Sequence, residues 1–416
     1  MRRVALGVLC LVISILFLPT VNAQAQNVTE TIQLNYQDSL LSESINKFTF
    51  DLFKIVIDSN ADENVFISPF SVSYALGMVY NGALGETRDA MRDVLQYDSL
   101  DDPGVNNGYY DLMHTVGQSD NDITLEIANS IWYADTLVLR SGFEFKNKTY
   151  FNSDILPIDF GRERVDQLVN QWADEKTHGR IKEILKGPLA PRIVMVLANA
   201  VYFKANWQYK FDEKLTEKQT FNLKYGREIE CDMMHREGDF SFLVNNEVEA
   251  ISLPYGNGDI QMTLLMPPGD MNIDDFVYDL SFDKWEYWRS KFHVAPVRLY
   301  MPKFKLDWNT ELQDILKDLG MRIAFSGHAD FGGIFEYGGV CINKVLHNTF
   351  VQVDEESTEA AAVTVITMLS GSAGYDTHNN IWVYRADEPF VFVIHDTMTG
   401  AILFIGKIEK PVWIDS

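Results

Sequence analysis

The chain has 416 residues, 35 Lys+Arg against 59 Asp+Glu, and a formal net charge of −24. An acidic excess of this size disfavours nucleic acid and anionic lipid as partners, because phosphate binding draws on clustered Lys and Arg. Beyond the N-terminal segment only Cys231 and Cys341 remain, too few for a disulfide framework or a thiolate metal centre. Two free thiols are expected, with one bridge as the alternative in an oxidising compartment.

Arg2 and Arg3 precede the apolar run VALGVLCLVISILFLPTV, and small residues follow at Val21, Ala23 and Ala25. This has the form of a secretory signal over residues 1–25. A membrane anchor is the competing reading, since the run nears spanning length. The small-residue cut site and the lack of a basic stop-transfer cluster favour the signal. Cutting after Ala25 removes two arginines, so the mature charge is 33 − 59 = −26. The mature protein is then expected to be secreted, to the exterior or the periplasm according to the host, with no membrane segment. Residues 26–37 form an extension. From 38 to 416 apolar patterning continues without linker or repeat, which predicts a single domain.

DSLLSESINKFTFDLFKIVID (38–58) has apolar residues at helical spacing, with Asp38 or Ser39 as N-cap. NVFISPFSVSYALGMVYNGALGETRDAM (64–91) predicts an extended start, then a helix opened by Pro69 and running to Gly82. Another helix is predicted over 85–95, a strand over 122–135, a helix over 164–181 and a buried strand over 192–207. Strands dominate 219–305, a short capped helix is predicted at 309–321, and 390–408 reads as a strand pair around a Thr-Gly turn. Helices first and strands later within one unit predict an α+β fold.

Enzyme signatures are lacking: no nucleophile elbow, phosphate loop, His-Glu-x-x-His or dinucleotide fingerprint occurs. SINK (44–47) matches Ser-x-x-Lys, but it lies on an amphipathic helix without the companion Lys-Thr-Gly box. The eight histidines are scattered, and Glu355, Glu356 and Glu359 read as solvated charge. No catalytic residue, metal or other cofactor is expected.

From about residue 38 to 411 the chain resembles the serpin family. The matches run in register: NVFISPFSVSYALGM, ANSIW, NQWADEKTHGRIKEIL, LANAVYFKANW, LPYG, LKDLGMRIAFSGHADFGGI, KVLHNTFVQVDEESTEAAAVT and YRADEPFVFVIHDTMTGAILFIGKI. The resemblance implies the serpin fold, with three β-sheets, eight or nine helices and an exposed reactive loop near the C-terminus. It also implies a suicide inhibitor: a protease cleaves the loop, and the upstream part inserts into the central sheet before the acyl-enzyme can hydrolyse. The implied partner is a serine protease held in a covalent complex, with some cysteine proteases as a further class, and the implied state is a monomer. A non-inhibitory carrier or chaperone is the alternative on the same scaffold.

The residues suit insertion. From Thr358 one face carries Thr358, Ala360, Ala362, Thr364, Ile366 and Met368, and no proline interrupts 358–371. The family's hinge maps onto Glu355, Glu356, Ser357, Thr358, Glu359, Ala360, Ala361 and Ala362. Ser357 stands where glycine is common, which should slow the hinge without blocking it. Family spacing of seventeen residues from Glu355 puts the reactive bond at Gly371–Ser372. Met368–Leu369, Leu369–Ser370 and Tyr375–Asp376 are alternatives, since the loop to Pro389 is longer than usual. A glycine before the cut suits a shallow, elastase-like pocket. The resemblance further assigns Ser68, Ser71, Asn199 and His347 to a polar shutter beneath the central sheet, and Trp207, Lys303 and Glu355 to the breach where insertion begins. Asn27 and Asn147 open Asn-x-Thr sequons.

Overall fold

The computed structural model describes residues 36–116, 123–161, 163–190, 192–269, 271–337, 339–355, 373–376 and 380–413. The expected signal segment, the hinge residues 356–362, Met368, Leu369, the Gly371–Ser372 bond and Asn27 lie outside them. The helices are α1 (Tyr36–Ser59), α2 (Pro69–Tyr80), α3 (Gly85–Val94), α4 (Asp102–Thr115), α5 (Ser141–Tyr150), α6 (Val165–Lys176), α7 (Ile273–Asp279), α8 (Phe282–Arg289) and α9 (Gln313–Leu316). The strands are β1 (Val65–Ile67), β2 (Ile123–Ala134), β3 (Asp154–Ile158), β4 (Met195–Ala205), β5 (Glu217–Leu223), β6 (Arg227–Val244), β7 (Glu249–Pro254) and β8 (Ile260–Met266). They continue with β9 (His293–Pro302), β10 (Phe304–Glu311), β11 (Lys344–Val353), β12 (Ala373–Asp376), β13 (Ile381–Arg385), β14 (Phe390–Asp396) and β15 (Ile402–Ile408).

A five-stranded sheet has the order β10-β11-β4-β2-β3, and ten further strands form a second sheet, nine of them in the order β1-β15-β14-β8-β7-β6-β9-β13-β12 with β5 paired to β6 beside it. Within that sheet β6 meets three partners in turn: β5, then β9, then β7. Two of the three expected sheets are therefore joined through this strand. The main core lies between the five-stranded sheet and the β14–β15 hairpin, where Phe66 stacks on Phe392 and Phe404. Among the described residues no helix is long and apolar enough to cross a membrane.

Several local expectations shift. The described part of α1 begins at Tyr36, so Asp38 lies in its first turn and does not cap it. α2 ends at Tyr80 rather than Gly82 and α6 at Lys176 rather than 181, where His178 and Gly179 take positive φ. The helix expected at 309–321 is a strand continuation to Glu311, then the single turn α9 and a wider turn closed by Gly320 at φ 128°. α4, α5, β3, α7, α8, β11, β12 and β13 have no counterpart among the elements expected from the sequence. α4 contains two glycines and two asparagines, all poor helix formers. One of them, Gly108, is required by packing: a Cβ there would sit 2.8 Å from Leu41 Cδ2 on α1.

The two thiols are free. Burial raises the Cys231 thiol to about 11, so it stays protonated and unreactive. Asn147 is fully buried in α5, its amide donating to Phe143 O at 3.1 Å and Met78 O at 3.4 Å. The folded protein cannot present that sequon to a glycosylating enzyme.

Candidate functional site: the seam between two parallel strands

The central pair of the five-stranded sheet, β11 and β4, is parallel, in register from Lys344↔Val196 to Phe350↔Tyr202. Above that last pair both strands continue, β11 to Val353 and β4 to Ala205, without pairing to each other. A cavity of about 150 Å³ occupies the gap, lined by Arg180, Tyr202, Lys204, Phe350, Gln352 and Asp354. The chain leaves β11 at this open end through Asp354 and Glu355. A segment that turned back there and entered the gap would run antiparallel to both neighbours. It would exchange one parallel ladder for two antiparallel ones, the more stable type per residue.

Below the gap, a buried polar network spans the seam. His347 on β11 and Asn199 on β4 are register partners. Ser68 N–H donates to His347 Nε2 at 3.1 Å, which fixes the proton on Nδ1. That Nδ1–H donates to Asn199 Oδ1 at 2.6 Å. Asn199 Nδ2 donates in turn to Ser71 Oγ and, at 2.7 Å, to Asn129 Oδ1. Ser68 Oγ donates to Leu403 O at 2.8 Å and accepts from Ser71 N at 3.3 Å, capping α2. The structure thus brings Ser68, Ser71, Asn199 and His347 together, in a region almost fully withdrawn from water. Asn129, in the ANSIW segment, and Thr349, whose hydroxyl donates to Phe66 O, belong to the same layer. Both lie in matched segments, and their inward spacing along a strand was the available signal.

At the upper end, Lys303 Nζ lies 2.7 Å from Glu355 Oε2, and Glu355 is 4 % exposed. Thr216 donates to the other carboxylate oxygen. Lys303 also sits 4.6 Å above the Trp413 ring. Trp207 Nε1 donates to Asp354 O at 2.8 Å while its ring stacks on Tyr255, 4.3 Å between centroids. Trp207, Lys303 and Glu355 therefore converge where the chain leaves β11. Thr216 carries no sequence signal, since its contact with Glu355 crosses 139 positions. A buried carboxylate held by a cation and a hydroxyl is costly to leave unpaired, so this arrangement pins the start of the departing segment.

Tyr375, considered for cleavage, lies in β12, paired with β13 through Tyr375↔Trp382. Among the described residues no group of three or more His, Cys, Asp or Glu is gathered for a metal.

Burial drives His347 and His395 down to about 3, from the usual value near 6.5. Between those values the unfolded chain takes up protons that the folded chain refuses, so stability falls as pH drops from about 6.5 toward 3. The slope is about 1.4 kcal/mol per pH unit for each histidine. Denaturant titrations at pH 7, 5.5 and 4.5 are expected to show this loss, and His347→Gln to reduce the slope by one histidine's share. Equal slopes in variant and wild type would refute the assignment.

The family model described as Serpin (serine protease inhibitor) matches residues 43–411. An uncharacterised serpin-like protein of Thermococcus kodakarensis is 34% identical over 377 residues, covering 90% of this chain and 87% of the relative. Among solved structures, the thermophilic serpin tengpin in its native state superposes with a TM-score of 0.79 at 28% identity, covering 91% of this chain and 95% of tengpin. Human thyroxine-binding globulin in complex with thyroxine gives 0.80 at 24% identity, covering 91% and 100%; this last likeness is one of fold.

Proposed function

Because the chain belongs to the serpin family, we propose that it is a secreted suicide-substrate inhibitor of serine endopeptidases. The observation that carries this reading is the seam: two parallel strands separated at one end, with the chain leaving from that end. In the residues that follow, Thr358 to Gly371, the inward face runs from small to larger side chains with none charged, and no proline interrupts the stretch.

In the proposed sequence the protease serine attacks the Gly371 carbonyl, forms an ester there and expels the amine of Ser372. Release of that end frees the hinge, Glu356 to Ala362, to turn at Glu355 and zip into the gap above Tyr202 and Phe350. Asn199 and His347 must part as the new strand passes between them, so the shutter bonds form part of the barrier. The Lys303–Glu355 pair and the Trp207–Asp354 bond hold the entry point until the cut is made. The ester travels with the inserted strand, and distortion of the protease prevents its hydrolysis. A glycine at the cleaved bond favours enzymes with a shallow primary pocket, of the elastase type. No residue of this chain performs catalysis in the scheme; the nucleophile is the protease's own.

The test is incubation with a panel of serine proteases, followed by denaturing electrophoresis and mass measurement. Expected are a complex that survives boiling in detergent and a C-terminal peptide of 416 − 371 = 45 residues. A carrier or chaperone on the same scaffold would be cut by every protease and leave each fully active. A peptide of another mass would move the bond to Met368–Leu369, Leu369–Ser370 or Tyr375–Asp376.

A further inference from the structure

β12 begins one residue beyond the proposed bond and is an outermost strand of the ten-stranded sheet. It pairs with β13 from Ala373↔Tyr384 to Asp376↔Ile381, so the backbone from Ala373 onward is held in a ladder. Tyr375 is 42 % exposed, yet it is held in place. Its ring lies edge-on to Trp382 at 5.1 Å, and Trp382 continues onto Phe242 at 5.5 Å. Its hydroxyl donates to Asn380 Oδ1 at 2.5 Å. The neighbouring carboxylate of Asp376 faces the buried Arg298 at 3.6 Å. What points outward is an aromatic ring on an ordered hairpin, the kind of group that dominates protein interfaces when it needs no further ordering.

Resting on the function proposed above, we infer that this hairpin is a second docking surface for the target protease, with Tyr375 as its anchor. The occupant follows from distance. Tyr375 is the fourth residue after Gly371, about 10–13 Å along the chain at ~3.3 Å per residue. A protease–inhibitor interface covers about 800 Å² on each partner, a patch roughly 16 Å in radius. An enzyme seated on Gly371–Ser372 therefore overlies the hairpin. The protease surface that receives the leaving side of the bond must accept an aromatic ring. Proteases with a bulky charged rim at that place are excluded even where their primary pocket suits glycine.

The experiment compares association rate constants of wild type, Tyr375→Ala and Tyr375→Phe with an elastase-type serine protease, or whichever panel member gives the stable complex. Tyr375→Ala is expected to slow association by about ten- to thirty-fold, with stoichiometry of inhibition and melting temperature unchanged. Tyr375→Phe, which keeps the ring, is expected to retain most of the rate. Unchanged association of Tyr375→Ala would overturn the inference while leaving the inhibitory reading intact. A raised stoichiometry in place of a slowed rate would also overturn it, because Tyr375 would then act by steadying the hairpin. If wild type forms no complex with any protease, the inhibitory reading fails and this surface falls with it.

Discussion

A single cut between residues 356 and 372 is expected to raise the melting temperature by on the order of 10–20 °C, although it joins nothing and breaks one bond. The gain comes from the seam. Insertion of residues 358–371 between β4 and β11 adds about a dozen net backbone hydrogen bonds at roughly 0.5–1.5 kcal/mol each, or on the order of 10 kcal/mol. Unfolding entropy near 2.1 cal/mol/K per residue gives about 0.8 kcal/mol/K for a domain of this size, which converts that energy into the stated shift. Thr358→Arg is the paired control. A guanidinium on the inward face would have to be buried without a partner, so the cut variant should gain little and release active protease. Calorimetry of intact and nicked protein decides the matter, and coincident melting of the two would remove the basis of the mechanism.

His347→Ala should destabilise the intact form by about 3–5 kcal/mol. Ser68 N–H and Asn199 Oδ1 each lose a buried partner, at roughly 1–3 kcal/mol apiece, and the missing ring leaves a void. The nicked form should lose less. Once a strand lies between β4 and β11, Asn199 and His347 are no longer neighbours and their bond is already gone. The substitution therefore widens the gap between the two states and should hasten insertion, including insertion of one molecule's loop into another's seam. Denaturant unfolding before and after cleavage measures both losses. Equal losses would mean that the network does not straddle the boundary that moves.

Legibility in the sequence followed the length and purity of the local signal. The buried strands β4, β14 and β15 were plain because each is a continuous apolar run, and Gly400 at φ 71° marks the turn between the last two. α2 was legible through Ser68 and Pro69, which set its first turn. α4 was not, because Gly108 and its asparagines serve the approach of another helix rather than helix propensity. α7 and α8, seven and eight residues long, are too short to establish a period. At the site, His347, Asn199, Ser68 and Ser71 came from matched segments, as did Trp207, Lys303 and Glu355. Their mutual geometry did not, since hydrogen bonds such as Ser68 to His347 cross 279 positions. The place of Tyr375 in β12 was not legible for a related reason: its spacing from Glu355 could not show that β13 would pair with its backbone.

The short strand after the loop also decides whether the molecule can relax without being attacked. With Ala373 paired at the sheet edge and Glu355 held by Lys303, 372 − 356 + 1 = 17 residues separate the two anchors in the sequence. Fourteen of them laid into the seam would reach about 46 Å down it, leaving three, or about 10 Å of chain, for the journey back. That leash is too short by several-fold. In the mechanism proposed above, an uncut molecule would have to unzip β12 from β13 before it could reach the relaxed arrangement, so the hairpin would act as a clock for an unspent inhibitor.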